Sequence, residues 1–154
     1  MSTKKIFLTL FILFSAFSVY SQKVKEADVP SAVKTKFTSM YPNAGSTKWE
    51  MENGNYEAEF KNNSTETSAI FEPNGNYVQT EVEIPVSSLP AGVSDYVSKT
   101  LKSKNIKEAA QITSANDTVT YEAEIGNEDY LFDANGNFLR KDTDTGDTED
   151  EDKK

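Results

Sequence analysis

Glu57 and Glu59 stand two apart in Tyr56-Glu57-Ala58-Glu59-Phe60, and Glu122 and Glu124 repeat the spacing in Tyr121-Glu122-Ala123-Glu124-Ile125. Residues two apart on a strand share a face, so each pair points into one groove or onto one surface. Paired carboxylates are the tools of glycoside hydrolysis, which needs two acids at a fixed separation across a cleft. The plainer account is the solvated face of an amphipathic strand, and it suits both segments better. The chain has no His and no Cys. A His- or Cys-based triad, a thiolate metal site and a disulfide are therefore absent. No Gly-rich phosphate loop with a following Lys occurs either.

Oxygen ligands alternate in Asp133-Ala134-Asn135-Gly136-Asn137, a loose fit to Ca²⁺. The closing bidentate Glu of a calcium loop is missing, and the matching stretch Glu72-Pro73-Asn74-Gly75-Asn76 carries a proline. A hairpin turn explains both stretches, so no metal ligand and no cofactor is assigned. Asp117-Thr118-Val119 resembles the short O-glycosylation motif of exported Bacteroidetes proteins and falls at an expected turn.

The elements that position these residues follow from apolar spacing. Val33, Phe37, Met40 and Tyr41 form one helical stripe after Val29-Pro30, and Pro42 ends it. Val93, Val97 and Leu101 form another after Leu89-Pro90. Between and after them run alternating strands separated by turn residues. Asn53-Gly54 reads as a two-residue type I′ turn that sets Met51 opposite Tyr56 and Trp49 opposite Ala58. Asn74-Gly75, read the same way, sets Phe71 opposite Val78 and Ala69 opposite Thr80. Asn116-Asp117 sets Ile112 opposite Tyr121 and Ala110 opposite Ala123. Asn135-Gly136 sets Phe132 opposite Leu139. Lys61 to Glu66 and the stretch from Gly126-Asn127 read as polar links.

This register predicts a sheet face turned away from the helices. It should carry Lys48, Glu50, Glu57, Glu59, Ile70, Tyr77, Glu122, Glu124, Leu131, Phe138 and Arg140. Tyr77 and Phe138 fall at matching positions, as do Ile70 and Leu131. Aromatics ringed by charges are what interface hot spots look like. An aromatic that covers its cross-strand neighbour is the equally good structural account.

The N-terminus reads as an export signal. Lys4 and Lys5 precede a nearly continuous apolar run from Ile6 to Phe17, and Val19 and Ser21 supply small residues for cleavage between Ser21 and Gln22. The run is short of the roughly 20 residues a membrane span needs. Residues 142–154 lack apolar side chains, repel one another and are expected to be a disordered acidic tail. The net charge of -9, with Arg140 the only Arg, makes the chain a poor partner for nucleic acid.

With its helix-opening Val-Pro and Leu-Pro pairs, its Tyr-Glu-Ala-Glu strands and its Asn-Gly-Asn turns after Phe, the chain resembles the PepSY-like, β-lactamase-inhibitor-like family of exported Bacteroidetes proteins. The resemblance covers roughly residues 29 to 141. It implies a helix-plus-four-strand unit in tandem, a periplasmic or secreted location and no established biochemical activity. The namesake inhibitors grip an enzyme with the exposed sheet face, and PepSY domains proper are associated with restraining peptidases.

The expectation is therefore an α+β protein, a tandem repeat of one helix packed on a four-stranded antiparallel sheet. Its parts are a signal peptide (1–21), a linker (22–28), one repeat (29–88), a second (89–141) and the tail (142–154). The expected role is non-enzymatic binding of an envelope or extracellular protein or ligand through the open sheet face, without a membrane anchor after cleavage. Two alternatives stand beside it: a small envelope hydrolase using the strand carboxylates, and an acidic Ca²⁺-responsive envelope protein. A cleft holding paired acids with raised pKa values would favour the hydrolase, and a flat face with Tyr77 and Phe138 exposed would favour the binder.

Overall fold

A computed structural model describes residues 22–102 and 105–142. The expected signal peptide and nearly all of the acidic tail lie outside the described residues. Nine strands pair antiparallel in sequence order: β1 (Gln22–Val24), β2 (Lys48–Glu52), β3 (Asn55–Asn62), β4 (Thr65–Phe71), β5 (Tyr77–Glu83), β6 (Ala109–Ser114), β7 (Val119–Ile125), β8 (Glu128–Asp133) and β9 (Phe138–Asp142). Helix α1 (Ser31–Met40) lies between β1 and β2, and α2 (Ala91–Lys99) between β5 and β6.

This overturns the expected tandem of two four-stranded units. There is one continuous nine-stranded sheet with two α-helices among the described residues. Two changes produce it. Gln22–Val24, read as linker, adds an edge strand whose Val24 pairs with Trp49. β5 and β6 then pair directly from Gln79–Ser114 to Glu83–Ala110. A four-stranded unit ending at β5 would expose a row of unpaired N–H and C=O groups, and β6 satisfies them.

The register keeps both helices on one side. Thr80, which the Tyr41 hydroxyl at the end of α1 hydrogen-bonds, pairs with Thr113, and Thr113 shares its face with Ala109 beneath α2. Under α1, Val33 and Phe37 pack with Trp49, Ala58, Phe60 and Phe71. Phe37 is the hub, with ring centroids 5.2 Å from Trp49 and 5.0 Å from Phe60, both edge-on. Under α2, Val93 and Val97 pack with Ala109, Ala123, Ile125, Tyr130 and Phe132.

The turns decide which side chains reach that core. Asn53-Gly54 is the expected type I′ turn, with φ 51° and 80°. It sets Met51 opposite Tyr56 and Trp49 opposite Ala58. The presumed polar links prove to be tight hairpins as well. Asn63-Ser64 joins Asn62 to Thr65, and Gly126-Asn127 joins Ile125 to Glu128.

The other three turns differ from the two-residue reading. In each, the loop has three residues. The Gly75 N–H donates to Glu72 O at 2.8 Å, Gly136 N–H to Asp133 O at 2.9 Å, and Asp117 N–H to Ser114 O at 2.9 Å. The third loop residue takes positive φ: 89° at Gly75, 81° at Gly136 and 63° at Asp117. The extra residue shifts the pairing. Phe71 faces Tyr77, with a bulge that displaces Val78, and Phe132 faces Phe138, with a bulge that displaces Leu139. Ile112 pairs with Thr120 instead of Tyr121, and Ala110 with Glu122 instead of Ala123. A one-residue slip changes the face of every side chain concerned.

Candidate functional site

The side of the sheet away from α1 and α2 is built from alternate residues of β3 to β9. One row runs Glu59, Ser68, Glu81, Ile112 and Thr120 across consecutive strands. Another runs Glu83, Ala110, Glu122, Leu131 and Arg140. Twist and curl make this face concave, and two adjoining grooves of about 540 and 590 Å³ open on it. Glu57, Glu81, Glu122 and Asp129 line both grooves and form the ridge between them.

Nine of the eleven side chains expected on this face are there: Lys48 and Glu50 stand opposite Glu59 and Glu57, and seven others line the grooves. Glu59 and Glu124 line the first groove, Ile70, Leu131 and Arg140 the second, and Glu57 and Glu122 both. Tyr77 and Phe138 are not, because the two bulges turn them to the helix side. The Tyr77 hydroxyl donates to the Thr113 carbonyl at 2.9 Å, with Thr80 Oγ1 at the same distance, and the ring packs beside Phe71. Phe138 stacks on Tyr96 of α2. An open-face hot spot built on those two aromatics is thereby overturned.

Their place is taken by residues the sequence reading left out. Glu81 and Asp129 sit at the centre, and Ile112 forms apolar floor beside Ile70 and Leu131. Glu81 was visible in the alternation Gln79, Glu81, Glu83, opposite in phase to the core-facing Thr80 and Val82. Ile112 was hidden by the misread turn.

The electrostatics follow from crowding. Burial pushes the Glu81 carboxyl up from 4.5 to about 7, and repulsion by Glu57 and Asp129 adds to it. Burial also raises Glu57, against a hydrogen bond from Ser68, with Glu59 and Glu50 contributing repulsion. Asp129 acts on Glu81 although it lies three strands away in the sheet order, which is the concavity expressed as charge. At the margins, Lys48 pairs with Glu59 at 3.6 Å, Lys61 with Glu66 at 2.9 Å and Lys107 with Glu124 at 3.0 Å. These pairs are substantially exposed and contribute little to stability.

Among the described residues no group of three or more acidic side chains could hold a metal ion. In the turn considered for Ca²⁺, Asp133 Oδ1 accepts the Asn135 and Asn137 N–H groups and Oδ2 accepts the Asn137 amide. These bonds hold the carboxyl below its usual range and build the turn. Thr118 is exposed at the β6–β7 turn, its N–H bonded to Asn116.

A family model described as "Putative beta-lactamase-inhibitor-like, PepSY-like" matches residues 18–68 and 54–140, most of the chain. No curated protein matches. Among solved structures, one from Bacteroides eggerthii, described as "putative periplasmic proteins", superposes with a TM-score of 0.63 at 20% identity, covering 74% of this chain and 88% of that one. A DUF2874 family protein from Bacteroides uniformis gives 0.62 at 19%, covering 73% and 88%. A BLIP-like protein from Bacteroides fragilis gives 0.58 at 24%, covering 77% and 89%. At these identities the likeness establishes the fold, which is BLIP-like.

Proposed function

The chain belongs to the PepSY-like, β-lactamase-inhibitor-like family, and from that premise we propose that it is a periplasmic binding module whose contact surface is the open sheet face. The observation that carries this reading is the shape and coverage of the sheet. Both helices pack on one side, and the other side is a concave surface several strands wide, with Ile112 and Leu131 recessed beneath the charges and Leu139 exposed among them. A soluble domain needs no such surface for its own folding, and contiguous apolar area rimmed by polar groups marks interaction sites. No helix of the described residues is long and apolar enough to cross a membrane. The location is taken from the N-terminal sequence and from the periplasmic description of the B. eggerthii structure.

The test is capture from the native envelope with the mature protein as bait, beside a bait carrying Glu59→Lys, Glu124→Lys and Arg140→Glu. These three changes reverse charges around the open face, at Arg140 on an exposed side chain. A partner retained by the first bait and lost from the second supports the reading. Retention of every captured protein by both would sink it.

One observation favours a second reading. Glu81, raised to about 7 by burial, beside Glu57 in a groove, is the pattern a general acid requires. We rank it lower because the carboxylates continue across β3, β5, β7 and β8 as a field rather than as one opposed pair. Chromogenic glycosides assayed from pH 4 to 8 test it. Turnover abolished by Glu81→Gln would establish a hydrolase.

A further inference from the structure

We propose that the partner presents an extended cationic segment, bearing lysine or arginine between apolar residues, to the groove of the open face. The inference rests on the reading that this face binds protein. The acid-lined part of the groove is edged by nine carboxylates, and among the described residues no Lys or Arg lines it. Three of those acids, Glu59, Glu66 and Glu124, have lysine partners from outside the lining. At the centre, Glu57 and Asp129 repel Glu81, and Arg140 is the cation that lines the adjoining groove with them. Like charges kept in a partly desolvated groove raise the energy of the free protein, and a cation entering the groove relieves it.

Charge alone would describe a solvated acidic surface. The second feature is the floor. Ile112 and Leu131 are recessed, at 7% and 8% exposure, while Leu139 stands at the rim at 52%. A segment alternating cationic and apolar side chains matches carboxylate walls over an apolar floor. The same charges rule out other occupants. A second copy of this chain carries a net charge of -9, and residues 143–154 are dominated by Asp and Glu; both are repelled, as is a nucleic-acid backbone.

Binding should be linked to protons. The charged groups that line the grooves with Glu81 are Glu52 from β2, Glu57 and Glu59 from β3, Glu66 from β4, Glu83 on its own strand, Glu108 just before β6, Glu122 and Glu124 from β7, Asp129 from β8 and Arg140 from β9. β6 contributes no charged side chain there, and the helices lie on the other side. A bound cation favours ionised Glu81. Affinity should therefore rise as pH rises through about 7, with a proton released on binding below that pH.

The probe is a short synthetic peptide of alternating lysine and alanine, with a glutamate-for-lysine counterpart, titrated calorimetrically into the mature chain. The lysine peptide should bind and the glutamate peptide should not. Glu57→Gln with Glu81→Gln should weaken binding about tenfold or more, as loss of charge partners at an interface does. Glu26→Gln with Asp95→Asn removes the same charge from exposed positions outside the groove and should change affinity less than about twofold. Glu81→Gln alone should abolish the gain in affinity between pH 6 and 8. Equal weakening by the two double variants, or binding of the glutamate peptide, would overturn the proposal. Suppose the lysine peptide does not bind, while a partner captured from the envelope is lost on Ile70→Ser with Leu139→Ser. The cationic segment is then wrong and the binding face stands. If that partner survives both the apolar and the charge changes, the binding face falls too.

Discussion

Phe138 lies flat on Tyr96, ring centroids 4.6 Å apart and planes 9° from parallel. That contact joins β9 to α2 and removes from the open face an aromatic that simple alternation would have put there. Phe138 also approaches Phe132 and Tyr130 at 6.1 and 6.3 Å. Although 38% exposed, it is part of the helix-side packing.

Phe138→Ser should therefore destabilise the fold by about 1–3 kcal/mol, since it removes a half-exposed ring from an aromatic cluster. Denaturant unfolding monitored by circular dichroism measures it. A loss under about 0.5 kcal/mol would mean the ring is a surface ornament.

Tyr77→Phe isolates one hydroxyl. Its bond to the Thr113 carbonyl ties β5 to β6, the pairing that fuses the two halves of the sheet. Deleting it should cost about 1 kcal/mol and should speed amide exchange at Thr113 more than at Tyr130. Unchanged exchange along β6 would contradict this role.

Trp49→Ala should cost about 3–5 kcal/mol, as deletion of a packed aromatic does. Trp49 is 4% exposed and meets Phe37 edge-on at 5.2 Å. Equilibrium unfolding gives the value.

Gly92 and Gly136 let α2 and the β8–β9 turn touch. A Cβ on Gly92 would sit 2.7 Å from Gly136 O, and one on Gly136 would sit 3.0 Å from Val93 N. Gly92→Ala should cost about 1–3 kcal/mol through overpacking against backbone. Gly136→Ala should cost at least as much, because Gly136 also has φ 81°. Thermal melts of both variants decide it.

Glu81 gives a pH dependence with a definite sign. Its carboxyl titrates near 7 in the fold against 4.5 for the free side chain, because burial disfavours its charge. Below about 4.5 it is protonated in both states and has no effect on stability. As pH rises from there to about 7, the unfolded chain ionises first, so stability falls, by roughly 2–3 kcal/mol in all. Glu57 acts in the same direction. Glu81→Gln should thus be more stable than the parent at pH 8 and lose much of the slope between pH 5 and 7. A variant less stable than the parent at pH 8 would refute the account.

What the sequence made legible divides along turn chemistry. Asn53-Gly54 places two residues that tolerate positive φ at the centre of a hairpin, and the register read from it is correct. Asn74-Gly75 has the same dipeptide, but Pro73 before it is locked near φ -65° and suits the first central position of a type I turn. That leaves only Gly75 at positive φ, lengthens the loop and creates the bulge. At the matching Asn135-Gly136, Ala134 gives no such warning. At Ala115-Asn116-Asp117 the left-handed residue is Asp117, with no glycine to mark it. Glu57, Glu59, Ile70, Glu122, Glu124 and Leu131 were legible because alternation within a strand survives such errors, whereas Ile112 took its face from the misread turn before β7. Tyr77 and Phe138 were not, because each immediately follows a turn and takes its face from the loop length. Each half is near the lower size limit for folding alone, so a shared sheet or close packing is the expectation; which strands join was illegible, because β5 and β6 meet across 25 intervening residues, Ile84 to Glu108, and no local pattern encodes that pairing.

The sheet's sequential order also bears on how the chain acquires its structure. Every strand pairs with the one just before it, and only two of the eight pairings, β1–β2 and β5–β6, span a helix. Contacts are thus mostly short in sequence, so loop-closure entropy is low and ordering should be fast for an all-antiparallel sheet. A chain emerging N-terminus first, from a ribosome or a membrane channel, finds each new strand's template already in place. Until β6 arrives, β5 is the exposed growing edge, and its solvent-side Glu81 and Glu83 guard it with charge against pairing with another chain. The residues that shape the mature groove would then serve earlier as protection during assembly.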